Sequence, residues 1–430
     1  MLNNQDHFSL NLNVRGLKKS ATLAINDLSN ELIRQNKNIY RLGLGQSPFP
    51  VPPVVVEALR QNAHQKDYLP VQGLRELREA VAEYHSKNDG TINSLDGVLI
   101  GPGSKELMFL LQISYYGDLV VPTPCWVSYS PQAQIIGRRV VRIPTDYKHG
   151  WRLQPEMFQQ LCEEDPGRPR LVILNYPGNP DGGTYSADTL KELAEIARKY
   201  DVIILSDEIY GKLCHKGEHI SIARYYPEGT IISSGLSKWC GAGGWRLGTF
   251  MFPSSLMWLQ DAMSSVGSET FTSTSAPIQH AAVRAFKGGV TIERYLAHSR
   301  RILSKLGNWC AQKLESSGAR VTKPTGGFYL FPDFFPISEK LSTHGITTSN
   351  QLYEKSLNEI GVAFLPGSEF GRPKTELTAR LAYVDFDGAR ALAASEQVPL
   401  DHELDDDFIH TYCYNTVTAI SKLCEWLDAM

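Results

Sequence analysis

The sequence has little net charge and no long hydrophobic run. Its 43 basic and 46 acidic residues leave a net charge of -3 at pH 7. That balance lacks the positive excess that attracts a phosphate backbone or an anionic membrane surface. No apolar run reaches the ~18 residues that a membrane-spanning helix needs. These absences argue against nucleic acid and against a membrane as partners.

Cysteine is also scarce: the seven residues are an odd number, widely scattered, with no C-x-x-C pair. This pattern argues against a disulfide framework and a zinc ribbon, and it is typical of a reducing compartment. The first thirteen residues, MLNNQDHFSLNLN, contain no basic stretch followed by an apolar one. We therefore expect a cytoplasmic protein without a signal segment at this end.

Two nucleotide-binding motifs are missing. The run VIILSDE imitates the Walker B strand of an ATPase, but no G-x-x-x-x-G-K-[ST] occurs to hold the phosphates. The segment from Gly101 to Glu106 follows an apolar run as a dinucleotide fingerprint would, yet a glutamate stands where the third glycine is needed.

His215 and His219 have the spacing of metal ligands, but Gly217 between them predicts a loop, so we expect no metal site.

What the sequence does have is a core. With 430 residues, of which 42% are hydrophobic and 10% aromatic, two or three domains or one large unit with a lobe are expected. Short runs rich in Val and Ile alternate with segments of helical period. Continuous apolar runs suit strands buried on both faces, so we predict an α/β fold with a mostly parallel seven-stranded sheet covered by helices. The runs lie at 97–101, 119–122, 139–144, 170–175, 201–207, 230–234 and 247–252.

The pattern of predicted elements changes after about residue 290, where helical segments flank the hairpin-like PTGGFYLFPDF. This change predicts a smaller α+β domain that also takes in the N-terminal end. We divide the chain into an N-terminal arm and part of the small domain (1–54), a large domain (55–295) and a small C-terminal domain (296–430). The acidic stretch 391–410 is predicted to be an exposed insertion before a final helix.

Candidate chemistry lies at the ends of two predicted strands. Asp207 and Glu208 follow VIILS directly, and Lys238 comes shortly after TIISS. Ligands of open α/β sheets bind outside the carboxyl ends of the strands, although a structural salt bridge would also explain this pair. Arg246 follows in GAGGWRLG, where a guanidinium can hold a phosphate or a carboxylate. A lysine, an anion clamp and a buried acid are what a lysine-bound phosphorylated cofactor requires.

Three segments in register then resemble one family. SGLSKWCGAGGWRLG (234–248) resembles the lysine motif of fold-type I pyridoxal-phosphate aminotransferases of class I/II. NYPGNPDGG (175–183) resembles that family's N-x-P-x-N-P-x-G loop, and SDEIY (206–210) resembles its D-E-x-Y turn. One lysine motif would be weak, but three in the family's order and spacing are a specific signal.

The resemblance continues upstream and covers about residues 15 to 385. DYLPVQGLRELREAVAEYH, GPGSKELMF and CWVSY resemble family segments, and they are most similar to the prokaryotic-type aspartate aminotransferase branch. The stretch GQSPFPVP (45–52) departs from the family's usual G-E-P-D-F. The family fold agrees with the α/β prediction made above from the apolar runs.

The resemblance implies pyridoxal 5'-phosphate as cofactor and assigns roles around its ring. Lys238 would bond covalently to the cofactor's aldehyde and later act as the base that moves the substrate α-proton, which requires a lowered amine pKa. Asp207 would pair with the pyridine nitrogen. Asn179 and Tyr210 would donate hydrogen bonds to the ring hydroxylate, and Trp126 would stack on the ring face.

The same resemblance assigns the cofactor phosphate to Gly103, Ser104, Lys105, Ser237 and Arg246. The first three come just after a predicted strand and open a predicted helix. Backbone N–H groups at a helix N-terminus favour an anion. A hydroxyl from Ser237 and the charge of Arg246 would complete this phosphate site.

For the substrate, the resemblance implies that Arg380 clamps the α-carboxylate, and that Gly45 and Asn179 contact the same molecule. Lys105 would meet the distal carboxylate of an acidic amino acid; an exposed, solvated lysine is the plain alternative. Tyr68 would reach the phosphate of the neighbouring subunit, so the expected assembly is a homodimer.

The predicted activity is the transfer of an amino group from an L-amino acid, aspartate or another acidic one, to a 2-oxo acid such as 2-oxoglutarate. An aminotransferase for aromatic, prephenate or alanine-type substrates is the alternative, as is a fold-type I lyase. Regulators of this fold that carry a DNA-binding domain are disfavoured, because that domain needs about sixty further residues.

Overall fold

The computed structural model of the protein describes residues 10–89 and 94–430. The first nine residues of the predicted N-terminal arm lie outside the described residues. Within the described part, no helix is both long enough and apolar enough to cross a membrane.

A seven-stranded sheet organises the large domain. Its order is β2-β8-β7-β6-β5-β3-β4, and all neighbours pair in parallel except β8, which is antiparallel to both β2 and β7. The mostly parallel sheet predicted from the apolar runs is therefore confirmed. The strands are β1 (Tyr40–Arg41), β2 (Val98–Gly101), β3 (Asp118–Thr123), β4 (Val140–Pro144), β5 (Arg170–Asn175), β6 (Ile203–Asp207), β7 (Thr230–Gly235), β8 (Gly248–Met251), β9 (Tyr329–Leu330), β10 (Val362–Ala363), β11 (Leu365–Pro366) and β12 (Ala379–Ala382).

The central strands are apolar throughout because both faces of the sheet are covered. In β5, Leu171 and Ile173 belong to one hydrophobic cluster, and Val172 and Leu174 belong to another. Successive side chains of a strand point to opposite faces, so each face receives alternate residues. All four of these side chains are at most 2% exposed.

Helices cover this sheet and build the small domain. They are α1 (Ala21–Arg34), α2 (Pro53–Asn62), α3 (Arg75–Asp89), α4 (Ser104–Ser114), α5 (Tyr129–Ile135), α6 (Pro155–Glu164), α7 (Ala187–Lys199), α8 (Met257–Thr270), α9 (Ala276–Phe286), α10 (Val290–Ser316), α11 (Ser338–Thr343), α12 (Ser349–Ile360), α13 (Gly388–Ser395), α14 (Asp406–Tyr412) and α15 (Tyr414–Ala429).

Helix α7 shows how the sequence specifies one of these elements. The Ser186 side chain accepts a hydrogen bond from the backbone N–H of Thr189, which caps the helix start. Leu190, Leu193 and Ala197 follow at helical spacing and are buried against the sheet. Both the cap and the apolar face can be read from the sequence.

The small domain contains two short sheets. β1, near the N-terminus, pairs in parallel with β10, and β11, β12 and β9 form an antiparallel sheet. PTGGFYLFPDF is thus not a hairpin by itself, because its strand β9 pairs with the distant β12. Helix α10 runs continuously through the boundary drawn at 295/296, and the division into 1–54, 55–295 and 296–430 stays a prediction.

The acidic stretch 391–410 is largely exposed, as its charge suggests, but it also packs part of its length on the core. It carries the end of α13 and the start of α14, and Leu404, Phe408 and Ile409 are buried in the main hydrophobic cluster. Its acidic residues remain exposed, and Asp405 caps α14 by accepting from the Phe408 N–H. An amphipathic helix can be acidic on one face and still pack its other face on the core.

Behind the end of β6 lies a buried ion pair. The His219 ring nitrogen is 2.8 Å from the Glu208 carboxylate, with the side chains 13% and 4% exposed. Hydroxyls of Ser206 and Ser221 donate to the same carboxylate. Burial disfavours the charge on His219, but the Glu208 carboxylate outweighs it and raises the pKa of His219 to about 10. Glu208 keeps a lowered pKa in spite of burial, because of His219 and these hydroxyls.

We predict that His219→Ala lowers the free energy of unfolding by about 3–5 kcal/mol, because the substitution leaves a buried carboxylate without its cation. Since the pKa of His219 is raised in the folded state, the pair contributes fully below the unfolded histidine pKa of about 6.5 and loses its contribution as the pH rises toward about 10. Urea unfolding of both proteins over this pH range measures the difference. A difference that stays constant with pH would contradict the ion-pair origin, and His149→Ala, an exposed histidine, is the control.

Candidate active site

A cavity of about 500 Å³ opens at the carboxyl edge of the sheet. Most of the residues singled out in the sequence line it, including representatives of β6, the loop after β7, the start of α4, and β12. Those lining residues are Gly45, Ser104, Lys105, Trp126, Asn179, Asp207, Tyr210, Ser237, Lys238, Arg246 and Arg380.

Lys238 lies in the loop that follows β7, and its ammonium group donates a hydrogen bond of 2.7 Å to the Gly45 carbonyl. Burial lowers the pKa of this amine to about 8, and the positive charge of Arg380 contributes in the same direction. Asp207 opposes the shift only in part. An amine with this pKa is readily deprotonated near neutral pH, which a nucleophile or a general base requires.

Asp207 ends β6 and is 3% exposed. The Tyr129 hydroxyl donates a hydrogen bond of 2.6 Å to Oδ2 of Asp207. Burial raises the pKa of Asp207 to about 6, and the Tyr129 hydrogen bond limits the rise. Tyr129 was not among the predicted site residues, although CWVSY contains it. The carboxylate is therefore held in place while retaining affinity for a cation or a proton donor.

Arg380, on β12, brings a buried positive charge from the small domain. Its side chain is 1% exposed and lies between the rings of Tyr329 and Phe370, at 4.9 and 5.2 Å from their centroids. The guanidinium donates to the Gly43 carbonyl and, over 3.3 Å, to Oδ1 of Asn179. No carboxylate of the described residues pairs with it within 4.0 Å, so the charge is available to an anion.

Tyr329 is another residue of the site that sequence reasoning missed. Its hydroxyl is 2.8 Å from the Tyr210 hydroxyl and 3.5 Å from the Gly45 carbonyl. It thereby connects β9 of the small domain with the loop after β6. A side chain at position 45 would place its Cβ 1.9 Å from the Tyr329 oxygen, which explains glycine there. In sequence, Tyr329 lies within an aromatic strand and has the pattern of a core residue.

A cluster of hydrogen-bond donors forms at the start of α4. Ser104 is the first residue of that helix, and the Ser237 hydroxyl and the Arg246 guanidinium line the same part of the chain's cavity. Within the described residues, neither serine hydroxyl has a hydrogen-bond partner. Arg246 donates to the Gly243 and Pro102 carbonyls, at 2.9 and 3.5 Å, but it has no carboxylate within 4.0 Å there. Gly103 does not line the cavity, but a Cβ there would lie 2.2 Å from Nη2 of Arg246, so glycine admits the guanidinium.

Lys105 and Trp126 lie together at the cavity. The Lys105 ammonium is 5.0 Å from the centroid of the Trp126 ring. Partial burial lowers the pKa of Lys105, and the charge of Arg246 adds to the effect. The positive charges of Lys105 and Arg246 therefore disfavour each other, and an anion bound between them would relieve this repulsion.

Like Gly103, Tyr68 is a predicted site residue that does not line the cavity of its own chain. Its side chain is 88% exposed and it is not part of the lining.

The cavity also has lining residues that the sequence did not predict. They are Ser20, Thr22, Leu23, Leu44, Gln46, Asn175, Ile209, Gly243, Gly244 and Tyr329. Over residues 10–89 and 94–430, no group of three or more His, Cys, Asp or Glu side chains is arranged to hold a metal ion.

Comparison with known proteins agrees with this geometry. A family model described as aminotransferase class I and II matches residues 37–385. The aspartate aminotransferase of Geobacillus stearothermophilus is 31% identical over 380 residues, which cover 86% of this chain and 93% of that protein. The aspartate/prephenate aminotransferase of Thermus thermophilus is 31% identical over 366 residues, covering 84% of this chain and 91% of that protein.

A solved structure shows the same fold. The structure of aspartate aminotransferase from Thermus thermophilus with maleate matches with a TM-score of 0.82 and 28% identity, over 97% of this chain and 99% of that one. The large sheet, the antiparallel β8 and the small domain together form the aspartate aminotransferase-like fold. With the family model covering most of its length, this chain belongs to the aminotransferase class I and II family and is an aminotransferase.

Proposed function

We propose that this enzyme uses pyridoxal 5'-phosphate to move an amino group from an L-amino acid, aspartate or another acidic one, to a 2-oxo acid such as 2-oxoglutarate. The observation that carries the proposal is the position of Lys238: a buried amine of lowered pKa that shares one cavity with Asp207 and Arg380. Each of these groups has a task in the reaction.

The residues of the cavity fit the cofactor. Its phosphate would be held by the hydroxyls of Ser104 and Ser237, which have no acceptor among the described residues, and by Arg246, whose charge has no carboxylate partner there. The N–H groups at the start of α4 would add further donors. Lys105 adds positive charge beside them. A cofactor phosphate there also relieves the repulsion between Lys105 and Arg246.

The ring would lie between Trp126 and the end of β6. When bound, pyridoxal phosphate supplies an aldehyde that bonds to amines and a pyridine ring that withdraws electrons from the substrate's Cα. Asp207 would accept a hydrogen bond from the protonated ring nitrogen, and Tyr129 orients its carboxylate. Asn179 and Tyr210 would donate to the ring oxygen, while Tyr329 orients the Tyr210 hydroxyl.

Lys238 performs the proton transfer. Its Nζ, deprotonated at neutral to mildly alkaline pH, takes the proton from the substrate's Cα. The Gly45 carbonyl, at 2.7 Å, holds the amine in the cavity. Arg380 binds the α-carboxylate with its guanidinium, and this grip favours retention of the carboxylate and hence transamination over decarboxylation.

Several features support an acidic substrate. Lys105 places an ammonium at the cavity, and hydroxyls of Ser20 and Thr22 line the same cavity. The buried Thr22 hydroxyl has no hydrogen-bond partner in the described chain. A distal carboxylate would accept from these donors, and the relatives named above are an aspartate aminotransferase and an aspartate/prephenate aminotransferase.

The proposal includes a homodimer in the cytoplasm. Tyr68 is too exposed to serve the cavity of its own chain. An aromatic side chain that is 88% exposed is suited to contact a second copy, where its hydroxyl would donate to the partner's cofactor phosphate.

We predict that Lys238→Ala cannot be fixed to the cofactor by borohydride reduction and loses most of its turnover, because no other lysine amine replaces it. The purified holoenzyme and the variant are reduced and their peptides analysed by mass spectrometry. Lys216→Ala, in an exposed loop, is the control and should be labelled at Lys238 like the wild type. Cofactor fixed to a different lysine in Lys238→Ala would overturn the assignment.

We predict that Lys105→Met lowers kcat/KM for aspartate and glutamate roughly ten- to a hundredfold, since a charged hydrogen bond contributes about 1.5–3 kcal/mol. Methionine preserves the apolar stem over Trp126. Steady-state kinetics with alanine and phenylalanine should change little. An equal loss with all four amino acids, together with weaker cofactor binding, would assign Lys105 to the phosphate instead.

We predict that Tyr68 acts across the dimer. Hybrid dimers of a wild-type chain and a Tyr68→Phe/Lys238→Ala chain contain one intact lysine site that faces a partner without the hydroxyl. Cofactor affinity at that site should fall about ten- to a hundredfold, the value of one charged hydrogen bond. The control hybrid pairs wild type with Lys238→Ala alone. Equal affinity in both hybrids would show that Tyr68 has no role across the interface.

A further inference from the structure

A second cavity, of about 480 Å³, lies next to the chain segment that leaves the active site. It is lined by Glu208, Gly211, Lys212, Ser234, Glu293 and Arg300, among others, and none of these lines the first cavity. We call it the Lys212 cavity. The short segment from Asp207 to Lys212 therefore contributes to both cavities, with Asp207 and Tyr210 in the first and Lys212 in the second.

Lys212 is buried without an oxygen partner. The residue is 9% exposed, and its ammonium lies over the rings of Tyr84 and Trp239, at 4.2 and 4.6 Å from their centroids. Cation–π contacts compensate part of the desolvation of the charge. The three N–H donors find no hydrogen-bond acceptor in the described residues, and the ammonium is open to the cavity that Lys212 lines.

Arg300 and Ser234 also have hydrogen-bond donors without an acceptor. Arg300, on α10, uses its Nε to donate a hydrogen bond of 2.7 Å to the Lys212 carbonyl. Its terminal N–H groups, like the Ser234 hydroxyl, have no acceptor among the residues that the structure describes. An ammonium, a guanidinium and a hydroxyl with unused hydrogen-bond donors thus line one cavity.

The charges nearby do not neutralise this group. Glu208 already pairs with His219, and Lys87, Glu218 and Arg224 are exposed. Burial lowers the pKa of Lys212 to about 8; Glu293 opposes the shift, but its carboxylate lies beyond 4.0 Å, and Arg300 adds to it. Burial also lowers the pKa of Arg300. Two cations that line one cavity, one buried and one half-buried, are what an anion would stabilise.

We propose that the Lys212 cavity binds a small oxyanion, a phosphate or a carboxylate group, between Lys212, Arg300 and Ser234. This goes beyond the proposed aminotransferase reaction, whose Lys238, Asp207 and Arg380 lie in the first cavity. Bound there, the anion would also fix the segment that carries Asp207 and Tyr210. The concentration of the anion would then affect the active site.

The test measures the reactivity of the Lys212 amine in the holoenzyme. Brief labelling with acetic anhydride at mildly alkaline pH is quantified by peptide mass spectrometry, with sodium phosphate, sodium acetate or sodium chloride at equal ionic strength. We expect phosphate or acetate to slow labelling of Lys212 about fivefold relative to chloride at pH 8, because a rise of one unit from a pKa of about 8 lowers the neutral fraction of the amine from about one half to about one tenth. Which of the two anions protects identifies the oxyanion. Lys216, exposed on the same loop, is the internal reference and should not respond.

Three variants separate an anion site from mere burial. Arg300→Met and Ser234→Ala should each weaken the protection of Lys212. Ser234→Ala removes only a hydroxyl, so it tests the anion site even if Arg300→Met disturbs the loop. Glu293→Gln should strengthen it, because the substitution removes a negative charge from the vicinity of the anion. Absence of protection by either anion, or protection that none of the three variants alters, would overturn the proposal. The outcome does not depend on borohydride labelling of Lys238, so failure here leaves the proposed function standing.

Discussion

The parallel pairing of β6 between β5 and β7 is the constraint on which the rest of the site depends. It puts Asn175, Asp207 and Ser233 side by side in register at one edge of the sheet. Asn175 then donates to the Asp207 carbonyl and accepts from the Asn179 N–H, which ties the loop after β5 to the end of β6. The loop after β7 begins at the same edge and brings Lys238 to face them. A one-residue slip in this pairing would turn every one of these side chains to the opposite face.

The electrostatics of the site follow from the burial that this arrangement imposes. The same low-polarity surroundings raise the pKa of Asp207 to about 6 and lower that of Lys238 to about 8. Each shift favours the neutral form of its group, and together they bring an acid and an amine toward neutral pH from opposite sides. The fixed charge of Arg380, which cannot titrate in this range, strengthens the shift of Lys238. Proton transfer and anion binding can therefore be combined in one cavity.

The small domain completes the cavity with residues from distant parts of the sequence. Gly45 from the N-terminal part, Tyr329 from β9 and Arg380 from β12 meet at the cavity, and the Gly45 carbonyl joins Lys238 to Tyr329. Since β1 pairs with β10 in the same domain, the N-terminal and C-terminal parts of the chain are held together there. The active site is thus assembled from segments more than three hundred residues apart.

The sequence by itself determined the sheet and most of the cavity's lining. The apolar runs specify buried strands because both faces of the sheet are covered, and the polar residues directly after those runs must emerge at one edge. Short motifs carry Asp207, Lys238 and Arg246 because local chain geometry and spacing position them. What only the tertiary structure decided depends on contacts between distant segments. Tyr329 and Tyr129 have the pattern of core residues until their hydroxyls meet Tyr210 and Asp207. The exposure of the acidic 391–410 stretch can be predicted from its charge, but the packing of Phe408 and Ile409 on α10 cannot.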